Sequence, residues 1–260
     1  MNITKHFSLA ILILVLSSSV VYGQKKNRTV DVAEALAGYF KPAGEGAIAP
    51  DKEGFITRWM LLDPISRPNR NNSVFTMEYT REQLTKEWFP GQLTVIPKDG
   101  DNVKVEMEYQ DPVDLTSNRP RTPAPEQPKM VKSQLTWHAL DSDHFFVKLF
   151  RFATGLNKDR YGVIFWSVTV LNCDEDIENV RLAVGSNKGA MWWLNGEELL
   201  LLASDRHMGV DSAVSKRVTL HKGKNVLRGA TINGPGMSEF CVRFIDDYGT
   251  PVRNYTVSCN

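Results

Sequence analysis

Cysteine is scarce in this chain, with three in 260 residues: Cys173, Cys241 and Cys259. An odd count leaves at least one thiol unpaired, so at most one disulfide forms, and the spacing fits no metal pattern. Charge of one sign is also missing. Lys and Arg number 31 against 30 Asp and Glu, and no long basic run occurs, so nothing marks an electrostatic footprint on phosphate and no nucleic-acid partner is expected. The metal and redox patterns H-E-x-x-H and C-x-x-C do not occur. Neither does G-x-S-x-G, the nucleophile turn of many serine esterases. Its nearest approach, Gly236-Met237-Ser238-Glu239-Phe240, lacks the second glycine and opens a strand, not a helix. No self-similarity at a period of about 20–50 residues marks a repeat protein.

Long apolar runs are limited to one, Leu9 to Leu16, behind Lys5 and His6 and ahead of the small residues Val21 and Gly23. That is the layout of a secretory signal, cleaved after Gly23 to leave Gln24 first. The expected organisation is a signal peptide over 1–23, a helix and linker over 24–50, and one domain over 51–260. An exported, secreted or periplasmic protein without a membrane span is expected. Hydrophobic residues at 42% and charged residues at 23% suit a globular domain with a sizeable core.

What is present is mostly strand. VIFWSVTVL (Val163 to Leu171) is nearly all β-branched or aromatic, as a strand with little exposed surface would be. Phe55 to Ile65, Leu93 to Ile96, Val103 to Met107, Leu135 to Ala139, Phe145 to Phe152, Asn179 to Val184, Arg217 to Leu220, Asn225 to Ile232 and Phe240 to Ile245 also read as strands. They recur at intervals of about ten residues with turn signals between, which argues for an all-β sandwich. Two short helices precede most of them. One spans Thr29 to Gly38, with Asp31 and Glu34 at capping-box spacing. The other spans Thr80 to Phe89, with Thr80 and Gln83 likewise spaced. Five prolines between 111 and 128 exclude helix and interior strand there and predict an exposed loop.

The stretch AMWWLNGEELLLL (Ala190 to Leu202) contains the strongest local signal. Asn195-Gly196 predicts a two-residue type I′ hairpin. Alternation then puts Ala190, Trp192 and Leu194 on one face and Met191 and Trp193 on the other. At most one of the two tryptophans faces the core between the sheets. The other faces a ligand, or lies beneath the N-terminal helix or the Pro-rich loop.

NVRLAVGSNKGAMWWLNGEELLLL, VTLHKGKNVLRGATINGPG and FCVRFIDDYGTPV together resemble secreted carbohydrate-associated domains with a galactose-binding-like jelly-roll fold. The resemblance rests on Gly185, Ser186 and Gly189, on Trp193 to Gly196, on Leu220, Lys222, Gly223 and Asn225, and on Asp246 and Gly249. It covers roughly residues 135–258 and implies a jelly-roll β-sandwich. Many such domains carry two acidic residues after the Gly-Ser; here Asn187 and Lys188 stand there, and Lys188 offers no oxygen to calcium. No metal and no cofactor are expected. YFKPAGEGAIAPDKEGFITRWMLLDPI is similar to exported proteins of polysaccharide-degrading bacteria, some of them associated with acetylxylan esterase.

The resemblance implies a poly- or oligosaccharide partner, bound on a sheet face or at the loops of one end. Trp193 or Trp192 would stack on a sugar, Arg228 and Asn233 would hydrogen-bond it, and Trp137 and Arg58 are secondary candidates. Glycines in LRGATINGPG would let the ligand approach the backbone. Two other readings stand beside this one. A carbohydrate esterase would use Ser142, Ser186 or Ser238 as nucleophile. A structural envelope domain would bury its aromatic face against a partner protein.

Overall fold

The computed structural model describes residues 31–68, 71–110 and 127–260. The signal peptide and most of the Pro-rich loop lie outside the described residues. In chain order the elements are α1 (Val32–Ala35), β1 (Phe40–Pro42), β2 (Arg58–Leu62), β3 (Ile65–Ser66), α2 (Met77–Thr85), β4 (Asn102–Glu108), β5 (Met130–Ser142) and α3 (Leu149–Gly155). Then follow β6 (Val163–Cys173), β7 (Ile177–Ser186), β8 (Gly189–Leu194), β9 (Glu197–Leu202), β10 (Ala213–Leu220), β11 (Gly223–Asn233), β12 (Phe240–Ile245) and β13 (Thr256–Ser258).

The fold is an antiparallel β-sandwich. The large sheet runs β1-β5-β2-β6-β11-β8-β9, with β3 and β13 also paired to β6 and β4 to β5; the small sheet runs β10-β7-β12. Side-chain alternation sends the central strands of the large sheet into two cores. Trp59, Leu61, Phe165, Trp192 and Leu227 pack against Val180, Leu182, Val184, Phe240, Val242 and Phe244 of the small sheet. On the other face Met60, Trp166, Val168, Met191, Trp193 and Ala230 pack beneath Leu84 of α2 and beneath Trp88 and Phe89. Burial on both faces explains why VIFWSVTVL carries almost no polar residue.

Local chemistry sets several boundaries. Asp31 caps α1, its Oδ1 accepting from the backbone N of Ala33 at 3.0 Å and Glu34 at 3.4 Å. Asn195 and Gly196 have φ of 52° and 86°, as a type I′ turn requires. Pro64 interrupts the first long strand, which resumes as β3 against β6. Three expectations need correction. The second helix starts three residues earlier than Thr80, because Thr76 caps it by accepting from the Tyr79 amide at 3.2 Å. Leu93 to Ile96 is turn and irregular chain, not strand. Phe145 to Phe152 is not one strand: Val147 makes a single bridge to Phe240, and the chain then enters α3. Leu149, Phe152, Ala153 and Leu156 are buried at helical spacing, and that stripe outweighs the strand propensity of the phenylalanines. The three cysteines are free thiols.

Candidate functional site

Trp192 has no exposed surface. Its ring meets Trp59 at 5.9 Å and Phe240 at 5.1 Å between the sheets. A Cβ at Gly229 would come within 2.4 Å of that ring. The glycine on β11 thus makes room for Trp192 from inside the protein, not for a ligand from outside. A stacking role for Trp192 is therefore withdrawn.

Trp193 points the other way, as the alternation requires. It stacks on Trp166 at 5.5 Å, and Phe89 meets Trp166 at 5.9 Å and Trp137 at 6.1 Å. Among the described residues the cover over this face is α2 and the segment following it, and not the N-terminal helix, which packs on the other core; most of the Pro-rich loop lies outside the described residues. Trp193 is an anchor of the second core and has no ring face for a sugar. Asn233 is likewise enclosed. Its Nδ2 donates to the Arg160 carbonyl at 2.6 Å and the Gly236 carbonyl at 3.2 Å, pinning the turn after β11.

The aromatic series Trp193, Trp166, Phe89, Trp137 ends in an open cleft of about 170 Å³. Phe89, Gln92, Val95, Asp101, Asn102 and Trp137 line it. Trp137 is 3% exposed, so it presents an edge and not a face. Its indole N–H meets no acceptor among the described residues. Gln92 is committed: its Oε1 accepts from the Trp88 amide and its Nε2 donates to the Lys86 carbonyl, both at 2.8 Å. Asn102 is committed as well, to the Gly100 carbonyl and the Thr136 hydroxyl. Asp101 is half free. Its Oδ2 accepts from the Lys98 amide at 2.8 Å, and its Oδ1 accepts nothing among the described residues. The cleft thus pairs one N–H donor and one carboxylate acceptor with a wall of Phe89 and Val95. Drug-sized sites run from roughly 300 Å³ upward, so this one suits a single ring.

Arg228 lies on the same sheet face, 2% exposed. Its Nη2 donates to the Val95 carbonyl at 2.9 Å, and its Nε is buried without a partner. Burial without a carboxylate pushes this guanidinium down to about 10. Arg58 shows the usual solution. Its Nε and Nη2 donate to the two oxygens of Asp141 at 2.6 and 2.8 Å, and its Nη1 to the Gly46 carbonyl. The hydrogen bonds to Asp141 outweigh desolvation and raise its pKa. Arg58 also lines a separate cleft of about 460 Å³ beside Gly44, Lys98, Asp99 and Cys259. The sequence-derived candidates do not converge on one site. Trp137, Trp193 and Arg228 share the covered face; Arg58 lies on that face too, by alternation with Met60 and Leu62, but opens to the separate cleft beside Lys98 and Asp99, and Trp192 and Asn233 fall on the other side of the sheet.

The three serines named for an esterase have these partners among the described residues. The Ser142 hydroxyl donates to the His144 carbonyl, the Ser186 hydroxyl to the Lys188 carbonyl, and the buried Ser238 hydroxyl has no partner. Among the described residues no imidazole hydrogen-bonds to any of the three. His138 instead meets Asp63 at 3.2 Å, a carboxylate that also accepts from Lys158 at 2.9 Å. Among the described residues no cluster of three or more His, Cys, Asp or Glu side chains could hold a metal ion. In the Gly185–Gly189 loop the Lys188 ammonium is buried. It donates to Asp205 at 2.5 Å and to the Pro235 carbonyl at 3.1 Å.

Reasoning from sequence missed Phe89, Gln92 and Asp101. Extending α2 to Phe89 hid the bend that carries the first two, although Pro90-Gly91 was there to signal it. No family model matches this chain, and no curated protein matches it. Among solved structures it is similar to a PA14 sugar-binding domain from an RTX adhesin, at 8% identity and a TM-score of 0.39, over 77% of this chain and 96% of that one. It is also similar to the PA14 domain of the antifreeze protein MpAFP, at 10% identity and a TM-score of 0.38, over 84% and 95%. A third is the β-glucosidase of Kluyveromyces marxianus in complex with glucose, at 19% identity and a TM-score of 0.25, over 50% and 14%. These are distant likenesses, and the β-sandwich assignment stands on the strand pairings described above.

Proposed function

We propose that this protein is an exported, non-catalytic carbohydrate-binding protein that serves polysaccharide utilisation, and that the cleft beside Trp137 takes one sugar ring. The observation that carries this reading is the pairing, in one small cleft, of a free indole N–H and a free carboxylate oxygen with an apolar wall. A sugar hydroxyl accepts from the first and donates to the second, while its C–H face lies on the wall.

Proton NMR titration of acetylated xylo-oligosaccharides with the protein tests it. Ligand line-broadening without growth of free acetate is the expected result. Trp137→Phe keeps the aromatic packing and removes the N–H donor; it should weaken binding about tenfold, the worth of one hydrogen bond. Trp137→Phe with full affinity would remove the cleft from the site. Steady release of acetate would make the protein an esterase. For export, the protein recovered outside the cytoplasm should begin at Gln24 by mass spectrometry.

A further inference from the structure

We infer that Arg228 is a receptor for a carboxylate, and that the turn Gly91 to Pro97 is a strap over it that an acidic sugar displaces. The inference rests on the reading of the Trp137 cleft as a sugar site and names the class of sugar: a glycan bearing a uronic acid.

The argument begins with the two buried guanidinium groups of this one chain. Both point the Nε–Nη2 edge at oxygen. On Arg58 the two oxygens of Asp141 fill that edge. On Arg228 a single carbonyl, Val95 O, occupies Nη2, and Nε is empty. No carboxylate forms an ion pair with Arg228 among the described residues. A buried cation with half its fork unfilled is costly. A planar carboxylate fits both positions at once, which a neutral hydroxyl cannot do.

The strap is fixed at Gln92, Leu93 and Pro97, and its exposed part is Thr94 and Val95. Thr94 N and Val95 N both donate to the Gly91 carbonyl, so its backbone bonds close within the turn. The Arg228 bond to Val95 O ties it to the sheet. Val95 itself is 58% exposed, and its side chain also lines the Trp137 cleft. A ring seated in the cleft therefore touches the residue whose carbonyl a neighbouring uronate would replace on Arg228. The exchange is carbonyl out, carboxylate in, with the guanidinium staying where it is.

The test compares a neutral xylo-oligosaccharide with the same chain bearing one glucuronic acid, on the intact protein. The Arg228 Nε–H signal is followed by NMR and assigned by its loss in Arg228→Lys. The expected result is at least about tenfold tighter binding of the acidic oligosaccharide, a shift of the Arg228 Nε–H on its addition alone, and equal affinity for both in Arg228→Lys. Arg228→Met should melt at the same temperature as the native protein or higher, because it removes an incompletely paired charge. Equal affinities with an unmoved Arg228 signal would overturn the inference and leave the cleft as a neutral-sugar site. Equal competition by inorganic sulfate would overturn the carboxylate class. A sharp fall in the melting temperature of Arg228→Met would assign Arg228 to the scaffold. Binding of neither oligosaccharide would remove the cleft reading and this inference together.

Discussion

Gly229 and Trp192 occupy one space between them: the indole lies where a Cβ on β11 would stand. Gly229→Ala should therefore destabilise the protein by about as much as overpacking a core does, roughly 1–3 kcal/mol. Trp192→Ala, which empties the same volume from the other side, should cost about 3–5 kcal/mol in urea unfolding. Asp63 makes a prediction about pH. Burial by itself would raise its pKa; hydrogen bonds and charge interactions with His138 and Lys158 outweigh that and hold it below the usual carboxylate value. Its folded pKa is thus depressed. Its stabilising contribution is complete above the unfolded value near 3.9 and disappears as pH falls through the folded value. Melting temperature followed downward from pH 5 should drop in acid, and Asp63→Asn should flatten that part of the profile.

At the scale of elements, the β8–β9 hairpin is held by its turn from two directions. Positive φ at both central residues suits Asn-Gly, and the Asn195 side chain also accepts from the Val226 amide at 2.8 Å. Gly196→Ala meets open space, its nearest neighbour being the Leu93 carbonyl at 4.0 Å. Its cost is then the backbone term alone, about 1–2 kcal/mol. A much larger loss on chemical denaturation would mean that the hairpin tip packs more tightly than the structure shows. A register shift between Trp192 and Trp193 leaves Leu199 as the extra residue on β9. Alternation set the opposed directions of the two tryptophans, and both went to cores because this sheet has a layer on each side. Helix α2 was legible in kind and misplaced in extent. The sequence reading put the cap at Thr80, whereas it is Thr76 that meets a free amide, that of Tyr79, which the local pattern alone does not decide.

For the whole molecule, the central strands β6 and β11 are buried on both faces, whereas the exposed part of the strap, Thr94 and Val95, is tied to the sheet by the Arg228 bond to the Val95 carbonyl. Their amides should exchange by different routes. Hydrogen exchange in β6 and β11 should report global unfolding, and that of Thr94 and Val95 a low-energy local opening. Strap amides protected as strongly as those of β6 would show that Arg228 is not poised for release. The sequence by itself determined the strand-rich sandwich, the hairpin at Asn195-Gly196 and the cap at Asp31. Each of these follows from periodicity, φ preference or composition, which are properties of neighbours along the chain. The tertiary structure alone decided which tryptophan keeps an open edge, that Gly229 serves Trp192, that α3 is helix, and that Arg58 has an acid where Arg228 has a carbonyl. Those outcomes depend on what comes to lie across from a residue, and the partners stand far away in sequence: 83 positions separate Arg58 from Asp141, and 133 separate Arg228 from Val95.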